Sequence, residues 1–343
     1  LNLSKVKLSF VELGPIPIEG NRHQAVKNVI ETAQKLEDWG YSRVWFAEHH
    51  DTANFISRAP EVIIPMVASN TSKIKVGSGS VLLNHYSPFK VAEVFTLLGD
   101  MFPGRINMGI GRATTGPVAD YALQRNRKFR QMTDDSDEQL EELIMWLTKG
   151  FEKGHPFAGI KTHHDEALPE FWLLGSSAWS AAAAARWGLN YAFAGFINPD
   201  HAYYITDTYR KNFQPQSNGL GSDKPHLILS LSIYCADTME VACKLAAPAV
   251  LMMQRLRAGK LNEPPETEDG AIALLGGMPG PSVLDDATVP PRYLIGTPET
   301  IRKDLRTIAA TFKVDEIMVQ CITHNLQHRL QCLQLLGDVF ELK

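Results

Sequence analysis

The side chains best suited to chemistry stand in short clusters directly behind apolar runs. Trp45 to Asp51 reads WFAEHHD, placing Glu48, His49 and His50 at the end of one such run. Adjacent imidazoles can bind a metal, move a proton or cap a turn. IKVGSGS ends in Ser78, Gly79 and Ser80, and RINMGIG leads into Arg112, Thr114 and Thr115. FWLLG leads into Ser176, Ser177 and Ser180 at the start of an alanine-rich helix, and NYAFA leads into Gly195, Phe196 and Asn198. Serine hydroxyls and unpaired N–H groups at a helix start favour an anion, and Arg112 can add a bidentate guanidinium. Those residues make either a phosphate site or a plainer arrangement, in which one serine caps the helix and Arg112 pairs with a local carboxylate. GIGRATTG has its third glycine displaced and Pro117 immediately after it, which argues against a dinucleotide loop. Gly111 is expected to leave room for a flat ligand beside Arg112.

Positioning these clusters together requires a particular set of elements. Eight apolar runs begin near Lys7, Arg43, Ile74, Arg105, Phe171, Asn190, His226 and Asp315, with helix-like segments or long connections between them. One helix-like segment, HQAVKNVIETAQKLEDWG, ends in Gly40, a suitable C-cap. The pattern predicts an α/β fold, a (β/α)8 TIM barrel formed as a single domain over residues 1–343. A doubly wound open sheet is the alternative. In a barrel the clusters meet at the C-terminal ends of the strands. Two insertions are expected, at about 151–170 and about 260–291. Within the second, NEPPETEDG should be solvated while AIALLGGM folds over an apolar pocket as a hinged lid.

The 343 residues are 44% hydrophobic and 21% charged, with a formal charge of −4, which gives no case for nucleic acid or an anionic membrane. No run approaches the ~20 apolar residues of a membrane span. LNLSKVKLSF lacks the apolar core of a signal peptide. Cys235, Cys243, Cys321 and Cys332 are too widely spaced for CxxC chemistry. A reduced, cytoplasmic protein without disulfide or metal site is expected. Adjacent strand residues face opposite ways, which disfavours a shared ion on His49 and His50. His155, His163 and His164 lie in a polar insertion and read as solvated loop histidines. Pro60 to Ser69 and Lys90 to Met101 are apolar nearly all round, which predicts a second buried face and a homodimer.

LEDWGYSRVWFAEHH, IKVGSGSVLLNHYSPFKVAEVFTLLGDMFPGRINMGIGR, FWLLGSSAWSAAAAARWGLNYAFA and IGTPETI, in that order, resemble the bacterial luciferase-like flavin monooxygenase family over most of the chain. The resemblance implies a barrel that uses FMN, in reduced form as a co-substrate supplied by an NAD(P)H:flavin reductase. Dioxygen would then oxidise a small organic substrate through a peroxyflavin. It also implies that His49 is catalytic with His50 its neighbour, and that Gly79–Ser80 is a non-proline cis peptide beneath the flavin. Arg112, Ser177 and Ser180 match the family's phosphate ligands, Ser176 adjoins them, and Phe196 falls near the flavin. The luciferases carry a cysteine where this chain has Gly111, which removes a thiol near the flavin and weakens the case for light emission. A deazaflavin-dependent oxidoreductase on the same barrel, a metal-dependent barrel hydrolase and a non-catalytic flavin-binding protein are the rival readings.

Overall fold

The computed structural model describes residues 2–124, 134–148, 150–160, 168–216, 219–260 and 262–342. Eight parallel strands close into a barrel: β1 (Lys7–Glu12), β2 (Arg43–Phe46), β3 (Lys75–Ser78), β5 (Ile106–Gly111), β6 (Glu170–Gly175), β7 (Asn190–Ala194), β8 (Leu227–Cys235) and β10 (Glu316–Gln320). Closure is made by β10, which pairs with β1 on one side and with β8 on the other. All eight correspond to the expected runs. The barrel replaces the open-sheet alternative.

Two strands lie outside that set. The two-residue β4 (Val81–Leu82) pairs with the end of β5, and β9 (Tyr293–Gly296) pairs with the last residues of β8. Ser232 pairs with both Gln320 and Tyr293, so β9 must take the β8 edge opposite β10. On that edge β7 stops at Ala194, opposite Ser230, and β9 continues the wall. Arg292 secures the join by donating to the carbonyls of Phe196 (2.5 Å) and Ile197 (3.0 Å).

Local chemistry sets the helix ends. The first helix, α1 (Arg22–Asp38), is capped by Asn21, whose side chain accepts from Gln24 N, and Gly40 follows its end at φ 78°. Its buried residues Ala25, Val29, Ala33 and Leu36 recur at helical spacing and face the barrel. In α2 (Pro60–Ala68), Ile63, Ile64 and Val67 are buried while Val62 is 65% exposed. In α3 (Pro88–Met101), Val91, Phe95 and Leu98 are buried while Leu97 and Met101 are 60% and 52% exposed.

The N-terminal end of the barrel is plugged by charge, which the sequence pattern did not announce. Arg43, 1% exposed, donates to Glu316 (2.9 Å) and to Asn107 (2.9 Å), beneath the rings of Trp45 and Trp172. Glu170 lies 3.4 Å from Arg43 and 2.6 Å from Lys75. Burial works to raise the Glu170 carboxyl, but the two cations outweigh it and hold its pKa at about 2.

His155 is exposed in its loop, as expected, and its ring stacks on Phe151 at 4.7 Å, beside Trp146 and Phe157; His163 and His164 lie outside the described residues. In the second insertion the polar NEPPETEDG stretch is exposed or half-buried throughout, as expected of a solvated segment. The apolar stretch forms α9 (Glu268–Leu275), whose Ala271 is buried against Ala247 and Leu251 of α8 (Met239–Arg257), because its single apolar stripe finds a matching helix face there. The polar stretch is what crosses the mouth. Asn262 donates to Asp51, and Asn54 donates to the carbonyl of Glu263. Among the described residues no helix is long and apolar enough to cross a membrane. All four cysteines are free and buried.

Candidate active site

The strand order brings the loops after β2, β3, β5 and β6 side by side, and with them most of the singled-out residues. Just past the end of β2, His49 is held by its backbone N–H to the carbonyl of Ser57 (2.8 Å), and its ring is exposed, 5.6 Å from that of Phe55. Protein crowded round the ring and, second, neighbouring His50 lower its pKa to about 4. Water still reaches the ring, so the full depression requires a covered mouth; in the open mouth screening reduces it. The imidazole is therefore neutral at neutral pH and able to accept a proton.

His50 goes another way. Its Nε2 lies 2.7 Å from Glu48 Oε1, which also accepts from the Tyr86 hydroxyl at 2.7 Å, while Glu48 Oε2 accepts from Leu82 N at 2.9 Å. Carboxylates only accept when ionised, so the His50 proton sits on Nε2. Burial first and then the Glu48 charge raise the Tyr86 hydroxyl. This buried carboxylate clamps the β2 end to the turn after β3. Tyr86 was not singled out by sequence, because its partner is 38 residues away.

The clamped turn contains the cis peptide bond Gly79–Ser80. A Cβ at Gly79 would come within 2.9 Å of Trp45 Cβ, so the floor admits only glycine there. Gly111 lines the cavity beside Arg112, and a Cβ at that position would overlap the Ser80 hydroxyl, so the missing side chain also makes room for Ser80.

Arg112 donates to both carboxylate oxygens of Asp134 (2.9 and 3.1 Å), and its guanidinium lies 4.5 Å from the centroid of the Trp179 ring. Ser177 caps the helix α6 (Ala178–Arg186), its hydroxyl accepting from Ser180 N. Both parts of the plainer sequence reading are thus present. They still leave room for an anion: Arg112 is 36% exposed, Ser177 is exposed, and a cavity lined in part by Leu83, Gly111, Leu140 and Trp179 opens beside Arg112. Ser180 differs. It is 2% exposed, and its hydroxyl engages the Tyr191 hydroxyl (3.0 Å) and the carbonyl of Ser177 (2.9 Å), so it braces the loop. Ser176 and Phe196 use their backbone carbonyls to hold Asn198 and Arg292. Asp134 and Trp179 are additional residues of the site; Asp134 lies 22 residues from Arg112 and carries no local signal.

These residues suit an anionic group: a half-exposed guanidinium stacked on an indole, an exposed serine hydroxyl that can still donate, and the start of a nine-residue helix. The model of the family described as luciferase-like monooxygenase matches residues 8–315. A luciferase-like monooxygenase of Escherichia coli (strain K12) is 31% identical over 341 residues, covering 98% of this chain and 97% of its own. The crystal structure of apo-MsnO8 is 36% identical with a TM-score of 0.86, covering 100% of this chain and 99% of that one. The oxygenating constituent of 3,6-diketocamphane monooxygenase from Pseudomonas putida, a type II Baeyer–Villiger monooxygenase solved in complex with FMN, shares the fold at a TM-score of 0.69 and 19% identity, over 97% of this chain and 96% of that one. The chain therefore belongs to the luciferase-like monooxygenase family.

Proposed function

We propose that this protein is an FMN-dependent monooxygenase that takes reduced flavin from a separate NAD(P)H:flavin reductase and uses dioxygen to oxidise a small organic substrate. The observation carrying this reading is that the strand order sets a solvent-reachable His49, just past β2, and Arg112, just past β5 and stacked on Trp179, at the same end of the barrel. Bound flavin would supply the activation of dioxygen. Arg112 and Ser177 would hold the phosphate, and the turn at Gly79–Ser80, held down by Glu48, would support the ring. His49, neutral at neutral pH, would accept or return a proton at its open imidazole edge. The strand-crossing segment at Asn262 and Glu263 narrows the mouth and limits water. A homodimer formed through the exposed apolar residues of α2 and α3 completes the reading.

The test mixes the purified protein with photoreduced FMN and air-saturated buffer in a stopped-flow spectrometer, with a panel of organic substrates. Substrate-dependent product with one oxygen atom incorporated from labelled dioxygen is expected. Turnover with a reduced deazaflavin but none with reduced FMN would overturn it.

A further inference from the structure

Behind the ring of Phe55 lies a second cavity that the proposed chemistry does not use. It is built by the β1–α1 connection, the start of α9 and the start of α11 (Leu326–Phe340), and its lining includes Glu19, Asn28, Glu266, Glu268 and His324. Phe55 separates it from His49, stacking on His324 at 6.5 Å and 11°.

His324 is 8% exposed. Its Nδ1 lies 2.8 Å from the carbonyl of Ile16, and a carbonyl only accepts, so Nδ1 carries the proton. Nε2 is therefore a bare lone pair, and among the described residues it has no hydrogen-bond partner. Burial, opposed by the bond to Ile16, lowers the ring's pKa to about 4, so this acceptor survives at neutral pH. Nε2 is not sealed off by protein, so it opens towards the cavity and can accept an N–H or O–H from a molecule held there.

The rest of the lining selects among donors. Three carboxylates and no lysine or arginine line the cavity. Arg255 pairs with Glu266 at 3.2 Å, and His328 Nδ1 lies 2.8 Å from Glu268, so both carboxylates keep acceptor capacity. The starts of α1, α9 and α11 also face this region and favour negative charge. Each is already capped by its own Asn21, Thr267 or Asn325, and Glu268 and Asp269 occupy the first turn of α9. Full negative charges on the lining outweigh those partial positive ones.

We infer that this cavity is a second binding site, for a primary ammonium or a similar N–H donor, with His324 Nε2 accepting one hydrogen bond and the carboxylates neutralising the charge. The inference does not depend on the flavin reading, and its test is made without flavin. Butylammonium, with butyrate as the control anion, is titrated against the full chain labelled with [13C]histidine and followed by NMR, in parallel with calorimetry. Saturable binding of butylammonium in the millimolar range is expected, with a shift of the His324 ring signal and none for butyrate. His324→Phe keeps the stack on Phe55 and should weaken binding at least tenfold. Glu19→Gln, on an exposed turn, should weaken it severalfold whatever becomes of the histidine variant's folding. Absence of saturable amine binding, equal or tighter binding of butyrate, or unchanged affinity in Glu19→Gln with an unmoved His324 signal would each overturn the site.

Discussion

If Arg112 holds the flavin phosphate, its removal should cost FMN affinity and leave riboflavin affinity nearly untouched. A hydrogen bond to a charged group is worth about 1.5–3 kcal/mol. Arg112 is 36% exposed and already engaged with Asp134, so the lower end applies. About 1.5–2 kcal/mol corresponds to a loss of roughly 10- to 30-fold in Arg112→Ala. The same geometry predicts the opposite sign for Asp134→Asn. That carboxylate competes with the phosphate for one guanidinium, so neutralising it should tighten FMN severalfold and make binding more sensitive to added salt. Quenching of flavin fluorescence, measured with FMN and riboflavin side by side, reads both effects. Equal losses for the two flavins in Arg112→Ala, or weaker FMN binding in Asp134→Asn, would refute the phosphate assignment.

Four further outcomes can be checked. His49→Ala should bind FMN normally and turn over about 100-fold more slowly or worse, and the wild-type rate profile should keep its acid limb below the ordinary histidine pKa of 6.5; unimpaired turnover in the mutant would remove His49 from the chemistry. Gly111→Ala should lower the unfolding free energy by about 1–3 kcal/mol through overlap with Ser80, and Ser80→Gly should recover most of it in the double mutant; independent, additive losses in urea melts would show that the two do not touch. The Glu170 pKa is lowered from 4.5 to about 2, so its contribution is complete above pH 4.5 and is lost as pH falls through 2; Glu170→Gln should be less stable at pH 7 and lose less stability across that window, and an unchanged acid limb would count against the ion network. Val62→Lys with Leu97→Lys should give a folded monomer where the parent is a dimer at micromolar concentration, and a monomeric parent in sedimentation equilibrium would end the dimer proposal.

Local pattern carried the architecture further than the contacts. Eight apolar runs of strand length, each answered by a helix-like stretch, were enough to reach the closed barrel, because burial on both faces makes such strands near-continuous in apolar residues. Strand β4 is two residues long and carries no periodicity, and β9 is hidden in the approach to a Thr-Pro helix start. Clusters at the strand ends were legible as chemistry because the fold fixes where strands end. What each side chain does there was not. Arg43 meets Glu316 across 273 residues and Glu48 meets Tyr86 across 38, and spacing along the chain holds no information about such pairs. Ser180 shows the limit most plainly: its place in the motif suggests a ligand to phosphate, yet its hydroxyl is turned to Tyr191 because Gly175, whose missing Cβ would collide with it, lets it pack inward.

The relay of edges along β8 has an architectural corollary. Closure of the ring depends on Glu316 to Gln320 meeting Ile228 to Ser232, one storey below the place where Tyr293 to Gly296 are attached. The described residues between Arg257 and Tyr293 thus form a balcony fixed to an upper wall, outside the hoop that keeps the barrel round. Exchanging that balcony for one of another length or polarity would change what overlooks the mouth and leave the hoop, with its plug of Arg43 and Glu316, as it was. One scaffold of this kind can be refitted for different guests by a single cassette.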